Sequence, residues 1–181
     1  MHFAIDATTW TNTRGYGRFT RSLVKALVNL EQPHHYTLFT DTPGAVAELP
    51  DRARVEMVAS DRPAAVAASA EGRRSVHDML RMSRALSRTS CDCLLFPTAY
   101  SYVPLISRAP VAVVFHDVIA ERYPELTVPS AAARWMWNTK VRLARAQAGT
   151  VITVSDYSRH ELAREFRLNE SSIQVDRKSV V

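Results

Sequence analysis

His2-Phe3-Ala4-Ile5-Asp6, the polar run from Ala7 to Arg14, and then Gly15-Tyr16-Gly17-Arg18-Phe19-Thr20-Arg21-Ser22-Leu23 on to Leu30 form the stretch that decides the fold. A short apolar run of this kind reads as a strand, and the glycine-bearing segment Thr8 to Gly17 as a loop. Phe19, Leu23, Ala26, Leu27 and Leu30 follow at i, i+4, i+7, i+8 and i+11, one stripe of an amphipathic helix. Strand, loop and helix in this order make the opening of a βαβ unit.

The same alternation continues downstream. Strands are predicted at Tyr36–Thr40, Val55–Val58, Cys93–Phe96, Val111–Phe115, Val151–Val154 and Ile173–Val175. Val76, Met79, Leu80, Ser83 and Leu86 give a second helical stripe. Residues 131 to 147 give a third helix, carrying Trp135 and Trp137 and ended by Gly149. Ser155 or Asp156 caps a last helix running to about Phe166, and residues 60 to 72 read as a loop or short helix. The expected fold is α/β, a Rossmann-like, doubly wound and mostly parallel sheet of about seven strands with helices on both faces.

Composition sets bounds on function. The chain has 181 residues, 46% of them hydrophobic and 23% charged, enough for one buried core. No apolar run is long enough to cross a bilayer, and Asp6 interrupts any leader-like start, so a cytoplasmic protein is expected. A formal charge of +5 favours anionic partners such as nucleotides or lipid surfaces, but without a polybasic tail nucleic acid is not expected. Much of the excess lies in Arg134, Lys140, Arg142 and Arg145 and in the pairs Arg73-Arg74 and Arg177-Lys178; a solvated helix face also explains it. Cys91 and Cys93 are spaced for one face of a strand. They suit reduced thiols better than a strained disulfide or half a zinc site.

In doubly wound sheets ligands sit at the carboxyl ends of the strands. That directs attention to segments 7–18, 97–104, 116–124 and 155–158. Gly15 and Gly17 precede a helix whose N-terminus offers N–H groups to an anion, with Arg14 and Arg18 adding charge. This is not the dinucleotide fingerprint, because Thr20 stands at the third glycine position and Glu31 follows the wrong element; a structural turn explains the glycines as well. His116 and Asp117 end the fifth strand. Ser155 to Ser158 either cap a helix or present donors to a phosphate. There is no nucleophile elbow.

Ile5-Asp6-Ala7, Arg14 to Arg21, His34 to Thr40, Phe115 to Ile119, Tyr123-Pro124-Glu125 and Val154 to Leu162, in this order and spacing, resemble the N-terminal domain of group 1 (family 4) glycosyltransferases. The resemblance extends from the first strand to about Val175. It implies one half of a GT-B fold and transfer of a sugar, with retention, from a nucleotide-sugar donor to a glycan, lipid or small-molecule acceptor. It also implies no metal and no cofactor beyond that donor substrate. By the same resemblance His116 contacts and positions the donor sugar and is the catalytic candidate. Gly15, Tyr16, Gly17, Arg18, Asp117, Ser155 and Tyr157 line the donor cleft, and segments 97–104 and 116–124 face the acceptor.

In the family the last strand leads through a turn containing Pro and Gly into a second Rossmann-like domain, whereas Ile173-Gln174-Val175 here runs into Asp176 to Val181. The expectation is therefore an acceptor-side domain over 1–175, a tail over 176–181, and a C-terminal donor-binding domain absent from this sequence. Such a chain would be inactive alone and prone to weak homodimer formation. A lipid-linked acceptor would bring peripheral contact with the inner face of the membrane. A non-catalytic sugar-, lipid- or protein-binding module stays open as the alternative. A nucleotide-binding oxidoreductase domain is disfavoured by the incomplete glycine pattern.

Overall fold

The structure, a computed structural model, describes residues 1–67, 75–128 and 130–176. Seven strands form one sheet: β1 (His2–Asp6), β2 (His35–Thr40), β3 (Arg54–Met57), β4 (Cys93–Phe96), β5 (Val111–Val114), β6 (Ala148–Thr153) and β7 (Ile173–Val175). Their order is β3-β2-β1-β4-β5-β6-β7, and every pairing is parallel. The chain reverses direction across the sheet between β1 and β4, which fixes the switch point.

Helices cover the two faces unequally. Helix α1 (Gly15–Val28) and a 3-10 turn at Pro43–Glu48 pack on one face, around Ile5, Trp10, Val24, Leu38 and Leu95. After the short α2 (Ala64–Ala67), helix α3 (Val76–Arg88) takes the other face. The short α4 (Ile119–Arg122) and α5 (Pro124–Thr127) follow, then α6 (Ala131–Gln147) and α7 (Asp156–Phe166). On that face Met82, Leu86, Val141, Ala144, Leu162 and Phe166 close over the strands. Among the described residues no helix is long and apolar enough to cross a membrane.

Several expectations shift. On α1 the buried residues are Gly17, Phe19, Thr20, Val24 and Val28; Phe19 is buried as expected and Leu23 and Leu27 partly so, while Ala26 and Leu30 face solvent and Leu30 lies beyond the helix. On α3 it is Asp78, Met82 and Leu86, with Val76 and Leu80 exposed. Gly149 does not end α6 as a left-handed cap. The helix stops at Gln147 and β6 begins at Ala148, with Gly149 at a register shift between Val111 and Ala112, a bulge. Ser155 is the cap of α7, its hydroxyl accepting the Ser158 N–H at 3.0 Å. Cys91 and Cys93 are free thiols, raised above the ordinary value by burial. Residues 68–72 of the expected loop, Arg73-Arg74 and Arg177-Lys178 lie outside the described residues, as does the tail beyond Asp176.

Candidate functional site

The carboxyl edge of the sheet is where buried polarity collects: Asp6, Thr8, Thr40, Asp41, Thr98 and Thr153 are all buried at strand ends or just after them. Buried polar groups need partners, and much of this set spends itself fixing loops. Asp6 accepts the Thr8 N–H at 3.0 Å, Asp41 accepts the Ala64 N–H at 2.7 Å, and Thr153 donates to the Phe115 carbonyl at 2.7 Å. The edge is a rigid rim.

From β1 the chain turns through fully buried Trp10 and enters α1. Asn12 organises the turn: its side-chain oxygen takes the Arg14 N–H at 2.8 Å, and its amide donates to the Ala65 carbonyl at 3.0 Å. Gly15, Tyr16 and Gly17 are the first turn of α1 rather than a loop, and no side chain caps that turn. The two glycines differ. A Cβ on Gly17 would lie 2.0 Å from the Asn12 carbonyl oxygen, whereas one on Gly15 meets nothing within 4 Å. The close approach at Gly17 is therefore to the chain's own turn, which corrects the reading of both glycines as room for a ligand. Gly15 instead stands at an open, exposed helix N-terminus with the exposed Arg14 and Arg18 beside it.

His116 follows β5. Its Nε2 lies 3.0 Å from the Pro97 carbonyl oxygen, which only accepts, so Nε2 carries the proton and donates. The Phe19 ring meets the imidazole edge-on at 4.8 Å. Burial holds His116 below its ordinary pKa, against weaker pulls from the Pro97 carbonyl and Asp117. The neutral ring thus has a fixed orientation and Nδ1 as its acceptor nitrogen. Asp117 is exposed and accepts the Ile119 N–H at 3.0 Å, starting α4.

Beside them is a cavity of about 260 Å³, walled by residues 117–119 with Arg122 and Tyr123 on one side and by Tyr157, Ser158 and Glu161 on the other. Arg122 and the buried Glu161 form an ion pair that ties α4 to α7 beneath it. The predicted residues thus fall into two adjoining groups. Tyr16 and His116 belong with α1, Asp117 and Tyr157 line the cavity, and Ser155 is spent on its helix cap.

Sequence reasoning missed a third component. Tyr16 stacks on Tyr100 at 5.3 Å, and Tyr100 packs against Trp137 at 4.9 Å, with Lys140 over the Trp137 ring. Trp137 donates to Glu121 at 2.9 Å. Burial raises the Glu121 pKa, with Asp117 and Glu165 adding to it, and burial likewise raises Tyr100. Tyr100 lay in a segment already singled out by its place after a strand; Trp137 and Glu121 carried no separate signal. Lys140 donates to the Tyr100 carbonyl at 2.7 Å and Arg145 to that of Phe166, so neither is the solvated surface charge expected of it.

The structure is similar to the crystal structure of CalG4, the calicheamicin glycosyltransferase, at 12% identity and a TM-score of 0.44, over 87% of this chain and 48% of that one. The chain therefore spans about half the length of that enzyme. No curated protein matches the sequence at a significant level. Residues 13–175 match Glycosyltransferase Family 4, and a match over most of its length means that the chain belongs to that family.

Proposed function

We propose that this chain is the acceptor-side half of a glycosyltransferase that moves a sugar, with retention, from a nucleotide-sugar donor to a glycan, lipid-linked or small-molecule acceptor in the cytoplasm. The observation that carries the reading is His116: a neutral, oriented imidazole at the end of a central strand, next to the exposed N-terminus of α1, in a chain of this family. Its Nδ1 accepts a donor-sugar hydroxyl and holds the ring for attack, while the first turn of α1 with Arg14 and Arg18 faces the diphosphate. Asp117 and Tyr157 border the adjoining cavity, which extends the donor cleft.

A second, donor-binding domain opposes this edge in the working enzyme. Without it the contacts stay open to water, where a phosphate contact is screened and a hydroxyl gains little. The chain alone then binds donor at about the millimolar level, roughly 4 kcal/mol, and transfers nothing. A transfer assay with a panel of nucleotide sugars, run on the chain alone and together with a donor-binding domain, tests this. Turnover only in the combined protein supports the reading; turnover by the lone chain refutes it.

A further inference from the structure

The outer layer of the sheet face that carries α3 and α6 has an unusual surface. Val76 and Leu80 on α3, Ile106 in the segment between β4 and β5, and Trp135, Met136 and Leu143 on α6 are all exposed, Ile106 at 91% and Trp135 at 69%. Such side chains scattered singly mean little. These lie on elements locked together. The Ile106 N–H donates to the Ser87 hydroxyl at 2.9 Å, the Ser83 hydroxyl donates to the Pro104 carbonyl, and the Gln147 amide brackets Leu105, accepting its N–H at 3.0 Å and donating to its carbonyl at 2.7 Å. Residues 104–106 are therefore held between the two helices, and these bonds join the three elements.

Its charge has one sign. Arg84, Arg88, Arg108 and Arg142 are exposed on it, with Arg134 partly so. The only acid within α3, residues 104–110 and α6 is Asp78, which is buried and spent on the Asp61 and Arg62 N–H groups. These segments hold more net positive charge than the whole chain's +5, which leaves the remainder of the molecule net acidic. Apolar and aromatic tips among arginines, with no exposed carboxylate within these three segments and the neighbouring Asp61 paired with Arg81 at 3.7 Å, match the interface of an anionic bilayer: the tips enter the acyl boundary and the guanidinium groups meet the phosphates. A protein partner would ordinarily answer such a patch with acids of its own. The lipid surface supplies anions everywhere at once and asks for no shape.

We propose that the α3, 104–110 and α6 face is a membrane-docking surface for anionic phospholipid. It does not depend on which sugar or acceptor the protein uses. Because α6 runs back across the sheet, from the side of the carboxyl edge to the start of β6, Trp135 lies toward the same edge as His116. Docking on this face brings the site down beside the lipid headgroups.

Vesicle co-sedimentation of the chain tests it, with phosphatidylcholine alone or with about a third phosphatidylglycerol. Binding is expected only with the anionic vesicles, and weaker as salt rises. R108Q and R142Q each weaken it about fivefold, and I106S with W135S abolishes it. R52Q, the same charge change at an exposed position by β3, leaves it unchanged. Circular dichroism establishes that each variant is folded. Equal binding to neutral vesicles, or an effect of R52Q as large as that of R142Q, overturns the proposal.

Discussion

The Phe19 ring of α1 stands edge-on to the His116 imidazole, centroids 4.8 Å apart and planes at 82°. This contact and the Pro97 carbonyl on Nε2 leave the imidazole little rotational freedom. The helix that approaches the donor phosphate in the proposed function also orients the ring that meets the donor sugar. The two roles are mechanically joined.

His116→Ala, in the protein combined with its donor-binding domain, should lower turnover about a hundredfold while changing stability little, because a positioned polar contact is worth most where charge develops. Phe19→Leu should keep the fold yet lower turnover by a smaller factor, because it frees the ring. Steady-state kinetics beside thermal melting checks both.

Burial holds His116 below its ordinary value near 6.5. Between that lowered value and about 6.5 the unfolded chain binds a proton that the folded chain does not, so stability falls as pH drops through this window. Above about 6.5 both states are neutral and the penalty vanishes. Urea titrations above and below the window should show this slope in the wild type and a flatter one in His116→Gln.

Gly17→Ala should cost about 3 kcal/mol, since its Cβ would overlap the Asn12 backbone and force the turn apart. Gly15→Ala should stay within about 0.5 kcal/mol, because that direction is open. Chemical denaturation of the two variants separates the glycine packed on its own turn from the one at the open helix N-terminus.

Glu161→Ala removes the partner of Arg122 and should cost about 3 kcal/mol, leaving a partly buried guanidinium uncompensated. Arg122→Met with Glu161→Leu should recover much of that loss, since a packed apolar pair avoids the desolvation penalty. Melting curves of the single and double variants decide it.

The strand pattern made the architecture legible. Each predicted strand is present to within a few residues, because buried parallel strands are continuous apolar runs with little to confuse them. Helix phase was less legible: Val76 and Leu80 are as apolar as the residues α3 buries, so periodicity placed the stripe one step round. The surface that misled the reading is the one proposed to meet lipid. At the site, His116 and the α1 N-terminus could be found because they follow strands. Trp137 and Glu121 could not, since only the fold brings α6 and α4 beside Tyr100. The constraint on Gly17 is likewise a tertiary contact that no spacing encodes.

The central claim, that the carboxyl edge around His116 takes a nucleotide sugar, is tested most directly by titrating isotope-labelled chain with nucleotide sugars and following its amide resonances. The account predicts shifts concentrated at Gly15, Arg18, His116, Asp117 and Tyr157, fitting a dissociation constant of about a millimolar. Shifts confined to the opposite edge of the sheet, or none at tens of millimolar donor, would contradict it.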